Sequence, residues 1–340
     1  MKKDELIQVL SGGVMLAPMA GITDSPFRNI CISHGASATV SEMVSAKALT
    51  LKDATSLRLA CRSTTNGAYG VQIFASEPSV AAEAVGILCE NDEVKADWLD
   101  LNCGCPAPKI VSSGCGSALM KDPDLVYSMV KQMVSASSLP VTVKIRAGYD
   151  KDSINAVEVA LAAEEGGASL ITVHGRTRDR MYAPPVDLDI IARVKESVKL
   201  PVIGNGDIFS PEDGVNMVTY TKCDGLMIGR GALGRPWFFE AVNRALKNET
   251  PLCEPTPGEK MDMMLEHIKA LALLEGERSA LLKARKHAAW YTKGIRGSAS
   301  FRRDMNSVTT FAELEDFASR ISLCEGDAPF SPPSAGNFCK

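Results

Sequence analysis

The sequence has few of the residues on which metal sites and disulfide frameworks depend. Only four histidines occur among 340 residues, and the ten cysteines are irregularly spaced and contain no C-x-x-C pair. This spacing favours reduced thiols over disulfides. A zinc site formed by Cys103, Cys105 and Cys115 is an alternative, but no histidine or C-x-x-C pair supports it. We therefore expect no metal.

Long hydrophobic runs are also missing. No segment approaches the roughly 20 apolar residues of a membrane span, and the first five residues lack the apolar core of a signal peptide. We therefore expect a cytoplasmic protein without a membrane partner. The net charge of −4 excludes a uniformly basic nucleic-acid-binding protein. With 45% hydrophobic and 23% charged residues, the chain is typical of a globular protein.

Short β-rich apolar runs alternate with helix-like segments over residues 14–248. Eight strands are predicted, at Val14–Ala17, Ala38–Val44, Tyr69–Phe74, Trp98–Leu101, Val141–Ile145, Leu170–Val173, Val202–Ile203 and Gly225–Ile228. Helices are predicted between them, for example at Asp122–Ser135, Asp152–Glu165 and Ser210–Thr219. This α/β alternation favours a (β/α)₈ TIM barrel, and an open doubly wound sheet is the alternative.

A proline-rich linker divides the chain. Residues 247–257 contain Pro251, Pro255 and Pro257, and helical patterns resume after them. We therefore predict a barrel domain over residues 1–248 and a small all-helical C-terminal domain over residues 258–323, since single cores stop growing at about 250 to 300 residues. Residues 326–340 are rich in Pro and Ser and are predicted to be a disordered tail.

Polar residues, glycines and a Pro-Met-Ala segment occur at the ends of the predicted strands, which meet at one mouth of a barrel. They are Pro18, Met19 and Ala20 after the first strand, then Gln72, Asn102, Lys144, Arg146, His174, Arg176, Asn205, Gly206, Asp207, Gly229 and Arg230 along the later ones. So many such residues in the same position of successive units predict a ligand pocket. The sequence Asn102-Cys103-Gly104-Cys105-Pro106 adds a thiol, a weak acid, to the same edge.

The residue types narrow the ligand. Glycine-rich ends of the seventh and eighth strands expose backbone N–H groups where barrels commonly bind phosphate. Lys144 and Gln72 beside that site suit flavin mononucleotide, because the amide can bond the ring edge and the ammonium can stabilise the negative charge of the reduced ring. Residues 229–234 also read G-x-G-x-x-G, the pattern of a dinucleotide fold. That pattern lies in the eighth βα unit and is followed at once by Arg235-Pro236, which disfavours the dinucleotide interpretation.

One basic segment stands out in the C-terminal part. Residues 283–303 contain seven Lys and Arg but no Asp or Glu, and Trp290, Tyr291 and Phe301 are interleaved. Lys283, Lys286 and Lys293 would share one helical face by their spacing. Such a segment is either a solvated helix face or a contact for a polyanion.

Several motifs together resemble the tRNA-dihydrouridine synthase family, and the bacterial B-type enzymes most closely. They are Leu16–Asp24 followed by Pro26–Arg28, Asn102–Pro106, Val143–Arg146, His174–Thr177, Asn205–Asp207, Gly229–Arg230, Arg285–His287 and Phe301–Arg303. The resemblance covers roughly residues 14–306 and keeps the family's order. Cys103 and Cys115 depart from it, since small residues are more usual there.

The resemblance implies an FMN enzyme that takes hydride from NADPH and reduces the C5–C6 bond of a uridine in tRNA. By the same resemblance, Cys105 is the proton donor, and an ordinary thiol with a pKa of about 8.5 is mostly protonated at neutral pH. The implied FMN-binding residues are Pro18, Met19, Ala20, Gln72, Lys144, His174, Asn205, Gly206, Asp207, Gly229 and Arg230. The resemblance also implies that Asn102 and Arg146 bind the uracil edge, and Arg176 is a further candidate for substrate binding. The charge of the basic segment makes Lys283, Lys286, Arg302 and Arg303 the candidates for phosphate contacts with tRNA.

Two other functions are compatible with parts of the sequence. The pocket residues alone would also suit an FMN barrel that acts on a free pyrimidine or a small enone, but the basic segment disfavours it. An RNA-binding protein that had lost catalysis would keep the scaffold, but Cys105 and Lys144 are both present.

Overall fold

Eight parallel strand positions close into a ring, as the alternation of strands and helices predicts. The computed structural model describes residues 1–62 and 67–324. Its strands are β1 (Val14–Leu16), β2 (Ala38–Val40), β3 (Val44–Ser45), β4 (Ala68–Phe74), β5 (Trp98–Cys103), β6 (Val141–Gly148), β7 (Ile171–Thr177), β8 (Val202–Asn205) and β9 (Gly225–Ile228). Because β2 pairs with β1 on one side and with β4 on the other, the sheet closes into a TIM barrel and the open-sheet alternative is wrong.

The second strand position differs from the prediction of one continuous strand. β2 ends at Val40, and β3 follows as a two-residue strand that pairs with the far end of β4. Between them the Ser41 hydroxyl accepts the N–H of Gln72 at 3.0 Å. The Ser41 side chain thus takes the place of a backbone carbonyl as acceptor, and backbone pairing between β2 and β4 ends here. The chain then brings Met43 to the mouth of the barrel.

Helices surround the barrel between successive strands. They are α2 (Ser25–Ser33), α3 (Ala46–Thr50), α4 (Ala54–Ala60), α5 (Pro78–Glu90), α6 (Pro108–Ser112), α7 (Pro123–Ala136), α8 (Ala156–Glu165), α9 (Leu188–Ser197), α10 (Pro211–Thr221) and α11 (Phe238–Leu246). The predicted helices match α7 and α10 within two residues, but α8 begins later than predicted. The reason is a local turn in which Asp150 accepts hydrogen bonds from Asp152 and Ser153.

An N-terminal helix, α1 (Lys3–Leu10), was not predicted. Its Leu6 and Leu10 are fully buried and pack with residues inside the barrel, including Trp98 and Met15. The helix therefore closes the end of the barrel opposite the carboxyl ends of the strands. This arrangement leaves the other end for ligands.

Four more helices form the C-terminal helical region: α12 (Pro257–Glu275), α13 (Glu277–Tyr291), α14 (Ser298–Asp304) and α15 (Phe311–Ser322). Their buried residues form a hydrophobic cluster separate from that of the barrel. The domain boundaries at 1–248 and 258–323 stay a prediction. The predicted tail, residues 326–340, lies outside the described residues. None of the described helices is long and apolar enough to cross a membrane.

Asp24 joins the helical region to the barrel. It caps α2 by accepting the N–H of Phe27 at 2.9 Å, and it bonds Nε2 of His267 on α12 at 3.0 Å. His287 on α13 lies 3.4 Å from its other oxygen. Burial raises the pKa of Asp24, but the two histidines outweigh that effect and hold its pKa below the ordinary value. Burial lowers the pKa of His287 to about 4, so this ring is neutral at pH 7.

Candidate active site

A pocket lies at the carboxyl ends of the strands, where a TIM barrel carries its active site. All the strand-end residues predicted from the sequence line it: Pro18, Met19, Ala20, Gln72, Asn102, Cys105, Lys144, Arg146, His174, Arg176, Asn205, Gly206, Asp207, Gly229 and Arg230. The strand register explains part of this convergence. Asn102 is paired with Lys144 across β5 and β6, and His174 of β7 lies between Arg146 and Asn205 in the neighbouring strands.

The environment of the thiols distinguishes Cys105 from the others near it. Cys103 points into the core and is fully buried, and burial raises the pKa of its thiol far above the ordinary value. Cys115 is also buried and contacts the Ser113 carbonyl. Of the nine described cysteines, only Cys105 lines the pocket. Its backbone carbonyl accepts the Ser117 hydroxyl at 2.8 Å, so the turn that carries the thiol is fixed.

Lys144 is a half-buried cation that lines the pocket. Its Nζ donates a hydrogen bond of 3.0 Å to Oδ1 of Asn205, and Asn205 in turn donates to the Met227 carbonyl at 2.7 Å. Burial lowers the pKa of Lys144 to about 8, with a further contribution from the positive charge of Arg146. Because its partner is a neutral amide, the ammonium retains its charge for a ligand.

A carboxylate, Asp207, pairs with two of the cations at the mouth. Asp207 pairs with the guanidinium of Arg176 through one oxygen and with that of Arg230 at 2.8 Å through the other. Gly206 precedes it with φ of +126°, and a Cβ there would lie 2.9 Å from the ring of His174. Only glycine therefore lets the chain pass this ring. Burial and the nearby arginines lower the pKa of His174 far below its ordinary value, so the ring is neutral.

Arg176 and Arg146 make contacts inside the protein that the sequence did not reveal. Arg176 is 2% exposed, and it also donates to the Ala183 carbonyl at 2.7 Å. Arg146, equally buried, donates to the carbonyl of Gly104 at 2.7 Å and to those of β7 and the loop after it. Burial lowers the pKa of Arg146 to about 10. Their predicted contacts with a substrate base stay predictions, and their observed contacts hold the walls of the pocket.

Several residues of the pocket were not singled out as site residues in the sequence. Tyr182 lies after β7, and the guanidinium of Arg230 stands 5.0 Å from the centre of its ring. The same guanidinium is 5.3 Å from the ring centre of Phe209, two residues after Asp207. Both aromatic residues lie in loops that follow strands. Because binding residues of a barrel are concentrated in these loops, this location in the sequence could have identified them as pocket residues.

The loop after β1 forms an apolar wall of the pocket and is held from outside the barrel. Pro18, Met19 and Ala20 line the pocket, and Gly21 follows them. The N–H of Gly21 donates to the carboxylate of Glu42, and its carbonyl accepts from Nζ of Lys286 in α13. The helical region thus contacts the loop that forms the pocket wall. Gly234, with φ of +65°, makes a second close contact, since a Cβ there would overlap the backbone of Trp290.

The basic segment divides into exposed and engaged residues. Arg302 and Arg303 are exposed on α14. Lys286 is also exposed but contacts the Gly21 carbonyl, and the half-buried Lys283 pairs with Glu275 at 2.5 Å. The expectation that Lys293 shares a helical face with the other two lysines is wrong, because α13 ends at Tyr291.

Two of the three aromatic residues of this segment, Tyr291 and Phe301, pack inside the protein. Tyr291 is 1% exposed, and Phe301 packs edge-to-face against Phe317 with 6.3 Å between ring centres. They pack inside the helical region. These two residues are not a surface on which bases could stack.

The zinc alternative is wrong. Within residues 1–62 and 67–324, the one group of three or more Cys, His, Asp or Glu side chains close enough to share an ion is Asp24, His267 and His287. The two histidine rings are in edge contact, with 4.3 Å between their centres, and Asp24 already accepts hydrogen bonds. We therefore interpret this cluster as a hydrogen-bonded link between the barrel and the helical region.

Comparison with known proteins places this arrangement in a family. The family model described as dihydrouridine synthase (Dus) matches residues 15–323. The chain is 41% identical over 319 residues to tRNA-dihydrouridine synthase B of Pasteurella multocida (strain Pm70), an alignment that covers 92% of this chain and 95% of that protein. It is 42% identical over 299 residues to a probable tRNA-dihydrouridine synthase of Rickettsia conorii (strain ATCC VR-613 / Malish 7), covering 87% of this chain and 89% of the relative.

Proposed function

Because the chain belongs to the dihydrouridine synthase family, we propose that it reduces the C5–C6 double bond of specific uridines in tRNA to 5,6-dihydrouridine, with FMN as cofactor and NADPH as the source of hydride. The observation that carries this proposal is the position of Cys105. Cys105 lines a pocket that also contains the half-buried ammonium of Lys144 and several guanidinium groups. An acid beside concentrated positive charge suits a reaction in which negative charge develops on the substrate and is then protonated.

The donor set of the pocket supports FMN. Lys144 supplies a positive charge, and its ammonium donates a hydrogen bond to the neutral amide of Asn205. Gly206 and Gly229 line the pocket after β8 and β9 with backbone that carries no side chain. Arg230 adds a guanidinium at the same side of the mouth. A half-buried cation, glycine backbone and an apolar wall fit a planar ring that carries a phosphate. When bound, reduced FMN would supply the hydride for C6 of the uracil.

The residues of the chain have defined tasks in this proposal. Cys105 donates a proton to C5 after hydride has reached C6, and its thiolate is reprotonated from solvent. One hydride and one proton thus account for the two hydrogens that the base gains. The positive charge of Arg146 stabilises the negative charge that develops on the uracil oxygen between these two events, and that of Lys144 would stabilise the reduced flavin ring. Gln72, His174, Asn205 and Asp207 hold the cofactor or the cations that contact it.

The substrate is proposed to be held by both regions. A uridine inside folded tRNA must leave its stack to reach the barrel mouth, which single-stranded or flipped bases can do. Residues 258–323 would hold the tRNA backbone during this step, with Lys283, Lys286, Arg302 and Arg303 as the phosphate contacts. Arg302 and Arg303 support this assignment most directly because they are exposed.

The test is a reconstituted reaction. Unmodified tRNA transcripts are incubated with the purified protein, FMN and NADPH, and each uridine is examined by mass spectrometry for the gain of two hydrogen atoms. We expect modification at a small number of positions and none with Cys105→Ala. A parallel reaction with free uridine separates the rival enzyme class. Product from free uridine with none from any tRNA would contradict the proposal, as would a protein that does not bind FMN.

A further inference from the structure

A continuous chain of hydrogen bonds runs beneath the pocket from β5 to the turn that carries Cys105. The Gln72 side-chain amide donates from Nε2 to Oδ2 of Asp100 at 2.7 Å. Gln72 Oε1 accepts the Nδ2 group of Asn102 at 2.7 Å. Oδ1 of Asn102 then accepts the backbone N–H of Cys105 at 2.9 Å and that of Gly104 at 3.1 Å. Each link is short and connects one donor with one acceptor.

All three side chains in this hydrogen-bond chain are buried. Asp100 is 5% exposed, Gln72 1% and Asn102 7%. A buried amide that faces the wrong partner loses a hydrogen bond without regaining water, at a cost of about 1 to 3 kcal/mol. The direction of each amide is therefore fixed by its neighbours, because a primary amide donates from one end and accepts at the other.

The direction of the whole chain originates at Asp100. Its two carboxylate oxygens both act as acceptors, one for Gln72 and the other for the hydroxyl of Thr142 at 2.5 Å. An acceptor at this point requires Nε2 of Gln72 to face it, so that Oε1 faces Asn102. Asn102 must then present Nδ2 to Gln72, and its Oδ1 is left to hold the turn. Reversing either amide would place two donors against each other.

We propose that Asp100 is a positioning residue for Cys105, acting through Gln72 and Asn102. Asp100 does not line the pocket; its effect on the thiol is transmitted by the orientation of two amides. The inference rests on the proposed function for the role of Cys105 as an acid. The geometry that it concerns, the position of the thiol, can be measured without that function.

Two substitutions of Asp100 compare a side chain that can accept a hydrogen bond with one that cannot. Asp100→Leu keeps approximate size but removes the acceptor, so Gln72 and Asn102 lose their fixed direction. Asp100→Asn can keep an acceptor for Gln72 and turn its NH₂ group toward the Thr142 hydroxyl, so it should restore the wild-type arrangement. Thr142→Val is the matched control, because Thr142 is also buried and also bonds Asp100 but lies outside the chain.

The first measurement is the rate at which iodoacetamide alkylates Cys105 as a function of pH, followed on the peptide that contains this residue. The second is the rate of dihydrouridine formation in a single turnover with pre-reduced enzyme. For Asp100→Leu we expect a changed pH profile of alkylation and a dihydrouridine rate lower by about tenfold or more, as misplacement of a reacting group produces. Asp100→Asn and Thr142→Val should remain within about twofold of wild type, because neither misplaces the thiol, and misplacement is what costs orders of magnitude in rate.

Two results would overturn the proposal. One is a wild-type alkylation profile in Asp100→Leu, and the other is an equal change in Thr142→Val, which would indicate general loosening of the barrel. If Asp100→Leu does not fold, Gln72→Met breaks the chain at its next link, and an unchanged Cys105 profile in that variant overturns the proposal. Alkylation needs neither tRNA nor NADPH, so a wild-type protein that forms no dihydrouridine would refute the proposed function while this measurement still decides the role of Asp100.

Discussion

Positive charge is concentrated in two regions of the molecule, the barrel mouth and the helical region, and it is held in opposite ways. At the mouth, Arg146 is buried and Lys144 is half-buried, and desolvation lowers the pKa of each, to about 10 and about 8. On α14, Arg302 and Arg303 are exposed. A desolvated cation acts strongly on one small group in contact with it, whereas exposed cations act on a polyanion through many weak, salt-screened contacts. The mouth is therefore suited to a reaction on a small group, and the helical region is suited to binding a polyanion.

The two regions are nevertheless physically connected. Asp24 bonds His267 of α12, and Lys286 of α13 contacts the carbonyl of Gly21 beside the pocket wall. Three properties can be measured separately: the reaction at the mouth, the stability of the junction and the binding of tRNA. If the cations of the mouth act in the reaction and those of the helical region act in tRNA binding, substitutions should change each property without the others.

The largest expected effect is at the mouth. Cys105→Ala should lower dihydrouridine formation by about 10² or more, the usual scale for loss of a general acid. Reduction of the flavin by NADPH should remain nearly unchanged, because the thiol takes no part in it. Stopped-flow flavin reduction and mass mapping of tRNA measure the two steps separately.

Cys103→Ala is the control for this experiment, since Cys103 is two residues away but fully buried in the core. It should leave both steps close to wild type. Loss of activity in Cys103→Ala with none in Cys105→Ala would show that the assigned acid is wrong.

The junction should respond to acid. The folded-state pKa of His287 is about 4, below its ordinary value, so the unfolded chain takes up a proton more readily than the folded protein. Stability contributed by the neutral ring is therefore lost as the pH falls from about 6.5 to 4, by up to about 3 kcal/mol. Asp24, whose pKa is also below its ordinary value, adds its own loss only below about pH 3.8.

Urea unfolding of wild type and His287→Gln across this range measures the effect. Asp24, His267 and Lys286 face the ring in both proteins, so the difference between the two isolates His287. The variant should show a shallower loss of unfolding free energy between pH 6.5 and 4. Parallel curves would mean that His287 does not resist protonation in the folded protein.

A smaller effect concerns the cofactor. Because the pKa of Lys144 is about 8, its charge is lost as the pH rises through that value. The Kd for FMN should therefore increase above pH 8, by up to about tenfold per pH unit for a site that requires the protonated form. Lys144→Met should bind FMN more weakly at pH 7 and show no such increase. Fluorescence quenching of FMN at several pH values gives both results, and equal pH slopes would contradict the role assigned to Lys144.

The sequence predicted the composition of the mouth far better than the roles of its residues. Residues such as Lys144 and His174 could be assigned because every strand of a parallel barrel ends at the same mouth. Their partners could not be predicted, since Arg176 and Asp207 are 31 positions apart and meet only through the register of β7 and β8. Sequence spacing therefore does not reveal that the guanidinium of Arg176 is used inside the protein.

The helical region was harder to predict than the barrel for a local reason. The basic segment contains Tyr291 and Phe301, and composition alone does not tell whether such aromatics face solvent or the core. Both pack into the protein. The helix ends at Tyr291, and Gly294 and Gly297 follow with positive φ, which places Lys293 outside the helical face expected from its spacing.

The smallest expected effect is on the salt dependence of tRNA binding, and it is the most direct test of the comparison between the two regions. Arg302→Ala and Arg303→Ala together should weaken tRNA binding and reduce the log–log salt slope by about 0.7 to 0.9 for each phosphate that is no longer neutralised. Lys283→Ala and Lys286→Ala should change the slope less, because these lysines already contact Glu275 and Gly21.

The matched control uses an exposed cation of the same helical region that is paired with an acid. Lys269 of α12 pairs with Glu315 of α15 at 2.7 Å, so Lys269→Ala should leave the slope unchanged. FMN content and NADPH oxidation should be wild-type in the variants of α14, since those properties belong to the barrel. Equal slopes for wild type and the Arg302/Arg303 variant would mean that these charges are only solvated and that tRNA binds another surface, because a protein that neutralises fewer phosphates must release fewer counterions.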